Sequence, residues 1–429
     1  MKSFEMVSYI LSGKLDGILI RLYGSDKLKL QKERILGAMD QFSSLYGEDR
    51  DVALFSVPGR SELSGNHTDH NLGKVIAASV DLDMIAIASP RSDLVVRLKS
   101  EGFSEDVVEF SSDLASLVPN EASYGSSSAL ISGVLSGFSA RGYQIGGFDA
   151  YTTSNVPKGS GLSSSAVFEN MIGMILNEFY NEGAVSLVEL SKISQSAECD
   201  FFGKPCGLMD QLACALGGVV AIDFREPSNP EIHQMSLNLD KKGYRLCIVN
   251  TGGNHADLTD DYAAVPAEMK AVAGAFGKSV LREVDDREFL AALPMLRETL
   301  GDRGVLRAMH FFAENARVEK QKEMLLSEDF DGFLSQVIAS GRSSFCYLQN
   351  VYAAKNPSEQ GISLALCLAE DQLSGVGAWR VHGGGFAGTI QAYVPTALVS
   401  EFCSRMEQVF GDGACTVLRI RSESAMKIL

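Results

Sequence analysis

At residues 155–166 the chain reads Asn-Val-Pro-Lys-Gly-Ser-Gly-Leu-Ser-Ser-Ser-Ala, and a helical pattern follows at once. The glycines let backbone amides approach a ligand closely, and a helix start adds unpaired N–H groups and the positive end of the helix dipole. Three consecutive serine hydroxyls can cap the helix, bind phosphate oxygens or place an oxygen on Mg²⁺. The stretch therefore predicts an anion-binding loop, with a plain helix N-cap as the alternative interpretation.

The helix after this loop presents one apolar face. Its apolar residues recur at steps of four and three, the spacing of a buried helical stripe: Phe168, Ile172, Ile175 and Phe179. A second helix is predicted from Ser186, where Ser-Leu-Val-Glu forms a capping box. Apolar runs predict strands at 53–57, 75–80, 84–88, 219–222, 246–249, 389–394 and 416–420. Because strands and helices mix without strict alternation, the pattern favours an α+β fold.

Two other glycine-containing stretches match nucleotide motifs only in part. A P-loop is absent, because Gly277-Lys278-Ser279 has Val272 where the first glycine of that motif belongs. Residues 383–388 satisfy G-x-G-x-x-G, but a strand pattern follows them and no strand clearly precedes them. A dinucleotide site needs strand, turn and helix in that order, so we expect a tight backbone approach beside another loop instead.

A second polar cluster lies at residues 58–73, between apolar strands. Its polar side chains are Arg60, Asn66, His67, Asp69, His70 and Asn71. In such a setting polar groups must be hydrogen-bonded or serve a ligand, and Asn, His and Asp together suit several hydroxyls of a sugar. The alternatives are a zinc site, for which further ligands are missing nearby in sequence, and a purely structural turn.

The third cluster spans residues 197–211. Glu198 ends a helix, and Asp210 follows a glycine break among apolar neighbours. A carboxylate in apolar company is costly unless it is paired or takes part in chemistry. Asp210 is therefore a candidate catalytic group, with a helix cap or a salt bridge as the alternative. The sequence Gly-Lys-Pro-Cys-Gly at 203–207 breaks the helical pattern and marks the predicted domain boundary.

Composition limits the class of protein. With 429 residues, 45% of them hydrophobic and 21% charged, two domains are expected. Charges interrupt the first 30 residues, so we expect neither a secretion signal nor a membrane span, and a cytoplasmic location. Eight cysteines without a C-x-x-C pair predict reduced core thiols. The formal charge of -16 disfavours nucleic acid and anionic membranes as partners.

Together, the three clusters resemble the galactokinase branch of the GHMP kinases. Residues 58–73 resemble the signature G-R-x-N-L-I-G-E-H-T-D-Y-N, residues 155–166 the phosphate loop P-x-G-x-G-L-S-S-S-A, and residues 205–211 the motif P-C-G-I-M-D-Q. Residues 382–389 are similar to a late loop G-G-G-F-G-G-C, and residues 250–262 to a stretch with a sugar-contacting tyrosine. The resemblance runs from about Phe55 to the C-terminus, and five matches in order are more specific than any one.

The resemblance implies a two-domain α+β fold, with a ribosomal-S5-domain-2-like N-terminal domain, a ferredoxin-like C-terminal domain and the active site between them. We expect residues 1–205 in the first domain and 206–414 in the second, while 415–429 provide a last strand that rejoins the first. The resemblance also implies an ATP-dependent and Mg²⁺-dependent kinase that converts galactose to galactose 1-phosphate at the anomeric hydroxyl. Its partners would be small molecules, and the chain a monomer or weak oligomer.

Carried over by position, the resemblance assigns a role to each site residue. Asp210 is the base near the anomeric hydroxyl, and Arg60 is the cation beside it. Glu198, with Ser164 or Ser165, would hold Mg²⁺. The residues expected to bind the nucleotide phosphates are Gly159, Ser160, Gly161, Leu162, Ser163, Ser164 and Ser165. Those expected to contact the sugar are Asn66, His67, Asp69, Gly207 and Tyr262.

Two departures from the signature bear on the choice of sugar. The signature Glu, which resembles a contact to the terminal hydroxymethyl group, is Asn66 here, and the signature Tyr is His70. Loss of that carboxylate gives up a charge-assisted hydrogen bond of about 1.5–3 kcal/mol. The alternatives are a kinase for another aldose, such as arabinose or N-acetylgalactosamine, and a non-catalytic sugar and ATP sensor. A non-sugar kinase of the superfamily would share the phosphate loop but would not explain residues 65–71.

Overall fold

The computed structural model describes residues 1–111, 116–157, 161–253 and 258–429. The protein has an α+β fold, as the sequence predicts. The strands are β1 Ala53–Ser64, β2 Lys74–Pro90, β3 Val95–Ser100, β4 Glu105–Glu109, β5 Phe148–Ser154, β6 Val219–Asp223, β7 Glu231–Met235, β8 Tyr244–Asn250, β9 Ala378–His382, β10 Thr389–Pro395, β11 Cys415–Leu418 and β12 Met426–Lys427. The helices are α1 Ser3–Leu11, α2 Asp16–Tyr23, α3 Leu28–Tyr46, α4 Ser127–Ala140, α5 Ser164–Tyr180, α6 Leu187–Ser196, α7 Met209–Leu216, α8 Leu239–Lys242, α9 Thr259–Gly274, α10 Asp286–Ala291, α11 Leu293–Leu326, α12 Phe330–Ser343, α13 Gly361–Leu373 and α14 Val399–Phe410. Single π-helical turns lie at Ala197–Phe201 and Ser344–Leu348.

The larger sheet has eight strands in the order β12-β1-β2-β5-β3-β4, with β6 paired to β2 and β7 to β6. The sequence predicts two strands at 75–80 and 84–88, but β2 is one strand of 17 residues, so this prediction is wrong. The polar residues Asp81 and Asp83 continue the strand instead of turning it. Their carboxylates are buried, and Lys27 and Arg34 pair with them at 2.5 and 2.7 Å.

The smaller sheet has the order β11-β8-β10-β9, and all its pairs are antiparallel. Strands β9 and β10 form a hairpin, and residues 383–388 connect them. A strand does precede this glycine-rich stretch, contrary to the sequence interpretation. Because a strand also follows it, the stretch has no helix of the kind that a dinucleotide motif requires.

Strand pairing changes from the larger to the smaller sheet between Met235 and Tyr244. Strands β6 and β7 therefore join the larger sheet, although they follow the predicted boundary between residues 205 and 206. Within 415–429, β11 joins the smaller sheet, and β12 returns to pair with β1 in the larger one. The limits of the sheets thus differ from the predicted domain limits.

Helices cover both faces of the larger sheet. Along β2, Met84, Ala86 and Ala88 belong to a core that α4, α5 and α6 cover, whereas Ile85 and Ile87 face the N-terminal helices α1 to α3. Successive side chains of a strand point to opposite faces, so a strand buried on both sides needs apolar residues at every position. This packing fixes α5, and with it the end of the predicted phosphate loop at residues 161–163, against the sheet.

The two helices predicted in most detail are present. The first, α5, begins within the serine run at Ser164, and its residues Ile172 and Ile175 are fully buried. The second, α6, begins after Ser186, whose hydroxyl accepts a hydrogen bond from the backbone N–H of Glu189 at 3.2 Å. Such a cap stabilises a helix by about 1 kcal/mol.

All eight cysteines are free thiols. Only Cys214 and Cys247 are buried, while Cys346 and Cys367 are exposed, so the prediction of core thiols is wrong for most of them. Apolar neighbours in sequence misled it, because adjacent residues of a helix point in different directions. Within the described ranges, no helix combines the length and the apolar character needed to cross a bilayer.

Candidate active site

The predicted phosphate loop ends at the start of α5. Gly159 and Ser160 lie outside the described residues, whereas residues 161–165 are described. Gly161 has a φ of +72°, and Ser163 has a φ of +61° immediately before the helix. The first N–H groups of α5 have no partner within the helix, and the helix dipole adds positive charge there. The loop end is therefore suited to an anion.

Strand β1 passes close beneath this loop. The backbone N–H of Arg60 donates to the carbonyl oxygen of Leu162 at 3.2 Å. A Cβ atom at Gly59 would lie 3.1 Å from the same oxygen, so the glycine permits the close approach. The loop and the second cluster of the sequence analysis are thus joined by backbone contacts.

Arg60 and Asp210 form an ion pair at this junction. The Nη2 and Nε atoms of Arg60 donate to Asp210 Oδ1 at 2.6 and 2.8 Å, and Nη1 donates to the carbonyl of Gly161. The Ser163 hydroxyl donates to Asp210 Oδ2. Three parts of the chain that are distant in sequence, namely β1, the phosphate loop and the first turn of α7, therefore meet at one carboxylate.

These contacts set the charge of Asp210. Burial by itself would raise the pKa of Asp210, but the Arg60 guanidinium and the Ser163 hydroxyl outweigh it and hold the pKa below its usual range. Asp210 is consequently ionised at neutral pH. A carboxylate of low pKa is a weak proton acceptor, yet it can accept a hydrogen bond from a hydroxyl group and orient it.

Glu198 lies on the π-helical turn after α6 and is 1% exposed. Its Oε1 atom accepts hydrogen bonds from the Ser165 hydroxyl at 2.9 Å and from Lys204 Nζ at 2.7 Å. Its Oε2 atom accepts one from Gln211 Nε2 at 2.8 Å. Ser164, the other predicted metal ligand, is the first residue of α5 and is half-buried.

The Ser165 and Glu198 groups fit a hard divalent cation. Mg²⁺ prefers oxygen ligands, and these two side chains supply a hydroxyl and a carboxylate at one point. The Lys204 ammonium already places a positive charge against the carboxylate there.

A second buried carboxylate, Glu169, lies next to Glu198. It accepts a hydrogen bond from Gln211, while its Oε1 has no hydrogen-bond partner among the described residues. Burial, aided by repulsion from Glu198, raises the pKa of Glu169 well above its usual value.

Asp69 and Gly207, two of the residues predicted to contact a sugar, lie close together. A Cβ atom at Gly207 would come within 2.5 Å of Asp69 Oδ2, so a side chain at this position would displace this carboxylate. Burial, and then the negative charge of Asp210, raise the pKa of Asp69 to about 6. The two carboxylates therefore share one electrostatic environment.

The glycine-rich connection of the β9–β10 hairpin contacts the predicted sugar residues. The His67 ring, at a backbone φ of +57°, places Nε2 2.9 Å from the carbonyl oxygen of Gly384. The Tyr262 hydroxyl donates to the Gly385 carbonyl at 2.8 Å. Asn66 Nδ2 donates to the Gly383 carbonyl at 2.7 Å. The expected tight backbone approach beside another loop is therefore present.

His67 and His70 lie close together, with 3.3 Å between Nδ1 and Nε2. Among the described residues, the group of metal-ligating side chains close enough to hold an ion consists of Cys247, Cys403 and Cys415, and it contains neither histidine. The histidine pair thus lacks the further ligands that a structural zinc site needs.

Buried groups on helix α11 and at Asn350 support the signature loop, and no sequence motif pointed to them. His310 Nε2 lies 2.9 Å from the carbonyl oxygen of Asn66, and Glu314 accepts from the backbone N–H of Gly65 at 3.2 Å. Asn350 Nδ2 donates to Asn66 Oδ1 at 2.9 Å. A signal for the first two existed, because His310 and Glu314 are one helical turn apart among apolar residues, and such a polar pair on a buried stripe requires partners.

Comparison with known proteins places this geometry in a family. A model of the GHMP kinases N terminal domain matches residues 137–218, and a model of the galactokinase galactose-binding signature matches residues 40–90. A galactokinase of Streptomyces coelicolor (strain ATCC BAA-471 / A3(2) / M145) is 31% identical over 394 residues, which are 90% of this chain and 96% of that protein.

Solved structures agree with the sequence matches. The crystal structure of Lactococcus lactis galactokinase complexed with galactose has a TM-score of 0.76 and 25% identity, and the match covers 92% of this chain and 100% of that one. A mevalonate kinase of Methanococcus jannaschii shares the fold, with a TM-score of 0.60 and 13% identity over 86% of this chain and 98% of that one.

The fold and the loop at the start of α5 define a kinase of the GHMP class, a phosphotransferase with an alcohol group as acceptor. Within that class, the residues of the signature loop and the extent of the sequence match decide the family. The chain belongs to the galactokinase family.

Proposed function

We propose that this protein transfers the terminal phosphate of ATP to the anomeric hydroxyl of galactose and so forms galactose 1-phosphate. The observation that carries the proposal is the contact of Arg60 and Ser163 with Asp210, which joins a phosphate loop to a hydroxyl-binding loop. Phosphoryl transfer depends mainly on positioning and on neutralising charge, and these groups provide both. The family match supports the same activity.

On the phosphate side, residues 159–165 and the start of α5 would bind the phosphates of ATP through backbone amides and serine hydroxyls. Glu198, with Ser165 or Ser164, would hold Mg²⁺, which neutralises charge on the phosphates when bound. Lys204 would then yield its place against Glu198 to the incoming cation. Arg60 would lie beside the transferred group and stabilise the negative charge that develops there.

On the sugar side, Asp210 would accept a hydrogen bond from the anomeric hydroxyl and direct its oxygen at the phosphate. Its low pKa favours this orienting role over full proton removal before the transfer. The sequence assigns the other hydroxyls to Asn66, His67, Asp69, Gly207 and Tyr262, and we retain all of these except Asn66, whose amide group already bonds to protein groups. Side chains and backbone groups of this kind would supply the donors and acceptors that a neutral sugar requires.

A coupled assay of ADP release tests the proposal. The protein would be supplied with ATP, Mg²⁺ and, in turn, galactose, arabinose, N-acetylgalactosamine and glucose. We expect the highest kcat/KM with galactose. A clear preference for arabinose would overturn the choice of sugar, and sugar binding without any ADP release would identify a sensor.

For organisation, we propose two domains that meet at this site, with the division near residue 205 as the sequence predicts or, following the sheets, after Met235. Limited proteolysis would decide between them by the position of the first cuts. We also propose a reducing, cytoplasmic location and a monomer or weak oligomer. The free thiols support that location, because exposed Cys346 and Cys367 would oxidise outside it.

A further inference from the structure

Glu62 points to the same side of strand β1 as Arg60. The two residues are two positions apart, and the strand has no register shift between them, since Arg60 pairs with Ser79 and Glu62 with Ala77. Side chains two positions apart on a strand lie on the same face. Because Arg60 binds Asp210, Glu62 lies on the face that carries the proposed reaction site.

One carboxylate oxygen of Glu62 is engaged and the other is not. Oε1 accepts hydrogen bonds from Arg380 Nη2 at 2.6 Å and from Asn66 Nδ2 at 3.3 Å. Within the described ranges, Oε2 accepts no hydrogen bond, and the side chain keeps 7% of its surface exposed. Burial raises the pKa of Glu62 despite the opposing charges of Arg380 and Arg60. The carboxylate is therefore held in place through Oε1, while Oε2 remains able to accept a hydrogen bond from water or a ligand.

The neighbouring Asn66 has its amide committed to the protein. Nδ2 donates to the Gly383 carbonyl as well as to Glu62, and Oδ1 accepts from Asn350 at 2.9 Å and from Ser344 at 3.3 Å. Asn66 is 1% exposed. Compared with the signature quoted above, this chain has exchanged Asn and Glu between the two positions. The exchange moves the carboxylate from position 66 to position 62, where it accepts a hydrogen bond from Asn66.

We propose that Glu62 determines sugar specificity by accepting, through Oε2, a hydrogen bond from one of the non-anomeric hydroxyls of galactose. This inference rests on the proposed function and adds to it a carboxylate acceptor at position 62, where the signature has Asn. Arg380 and Asn66 hold the carboxylate in place, so it cannot turn away when the matching hydroxyl is missing. A bound sugar without that hydroxyl covers Oε2 without donating to it, so it is a poorer substrate than the matching sugar.

The test compares galactose with its 2-, 3-, 4- and 6-deoxy analogues on the wild-type protein and on Glu62→Gln. For each analogue, the penalty is the ratio of kcat/KM for galactose to kcat/KM for the analogue. We expect the penalty for one analogue to fall roughly tenfold or more in Glu62→Gln. The variant has already lost the charge-assisted hydrogen bond, so removing the hydroxyl from the sugar costs little more. Penalties that stay unchanged for all four analogues would overturn the inference.

Two further variants separate recognition from folding. Glu62→Asp keeps the charge opposite Arg380 but shortens the side chain by one methylene group. It serves as the test if Glu62→Gln does not fold, and the penalty for the same single analogue should then be smaller in Glu62→Asp than in the wild type. Asp149→Asn removes another buried carboxylate, which pairs with Arg50 and Arg91 at 2.8 Å each on strand β5, and should lower the thermal midpoint without changing any penalty. A wild-type protein that turns over no galactose would instead refute the proposed function itself.

Discussion

Arg60 donates two hydrogen bonds to a single carboxylate oxygen of Asp210, which lies 150 positions later in the sequence. Its Nη2 and Nε atoms lie 2.6 and 2.8 Å from Asp210 Oδ1. The second oxygen, Oδ2, receives the hydroxyl of Ser163 from the phosphate loop. The pair therefore ties the position of the proposed acceptor-binding carboxylate to the position of the loop. Each change at this junction should affect catalysis more than it affects folding.

The first prediction concerns Asp210→Asn. An amide keeps the shape of the side chain but loses the negative charge that orients the hydroxyl and balances Arg60. We expect kcat to fall by roughly 10² to 10⁴, while the galactose Kd changes only a few-fold. Turnover is measured by ADP release and binding by calorimetry. Asp223→Asn, which loses pairs with Arg282 and Lys74 elsewhere, is the control. An unchanged kcat in Asp210→Asn would remove the catalytic assignment.

The second prediction concerns Arg60→Lys and pH. A lysine cannot donate twice to Asp210 and also reach the Gly161 carbonyl, so kcat should fall about tenfold or more. In the wild type, Arg60 keeps Asp210 ionised down to low pH. In the variant, the pKa of Asp210 should rise, since burial then meets less opposition. At saturating galactose, the acid limb of the kcat profile should move to higher pH, and an identical limb in both proteins would contradict this electrostatic account.

The third prediction follows from Asp69, whose pKa is raised to about 6 by burial and by Asp210. Below that pH the carboxyl group is protonated, and above it the group is ionised and accepts hydrogen bonds from sugar hydroxyls. The galactose KM should therefore increase as pH falls from about 7.5 to about 5. Asp69→Asn should show a high KM at every pH. A wild-type KM that stays constant across this interval would exclude Asp69 as a pH-dependent sugar contact.

The fourth prediction compares two glycines. Ala at position 207 would place its Cβ within 2.5 Å of Asp69 Oδ2, so Gly207→Ala should raise the galactose KM about tenfold or more by displacing that carboxylate. Gly37 lies inside helix α3 with open space around it, so Gly37→Ala should stabilise the protein by about 0.5–1 kcal/mol and leave KM unchanged. Steady-state kinetics and thermal unfolding measure both effects. Equal galactose KM values for the two variants would contradict the proposal that Gly207 and Asp69 bind the sugar.

The sequence alone predicts those elements of the fold that depend only on neighbouring residues. The cap at Ser186 and the apolar stripe of α5 need only neighbouring residues to be recognised, and both are present. Long-range partners decided the rest. The single strand β2 could not be foreseen, because Asp83 reads as a turn residue until Arg34, from a distant helix, pairs with it.

The candidate site shows the same contrast between local patterns and long-range contacts. The resemblance implied that Arg60 lies beside Asp210, but which atoms pair, and the contact of both with the phosphate loop, depend on the fold. The open oxygen of Glu62 likewise becomes visible only once Arg380, which lies 318 positions away, is seen to occupy the other oxygen. Local patterns thus selected the residues, and tertiary contacts determine what each one is free to bind.

The last prediction concerns the cation. Removing divalent ions with a chelator should abolish ADP release, and added Mg²⁺ should restore it. Glu198→Gln keeps a side chain of the same size beside Ser165 but removes the charge, so the Mg²⁺ concentration for half-maximal activity should rise roughly tenfold or more. Glu178→Gln, which loses only a surface pair with Lys427, should behave as the wild type does. If Glu198→Gln required no more Mg²⁺ than the control, the carboxylate would instead serve mainly to neutralise Lys204, and the thermal midpoint rather than the metal dependence would respond to its loss.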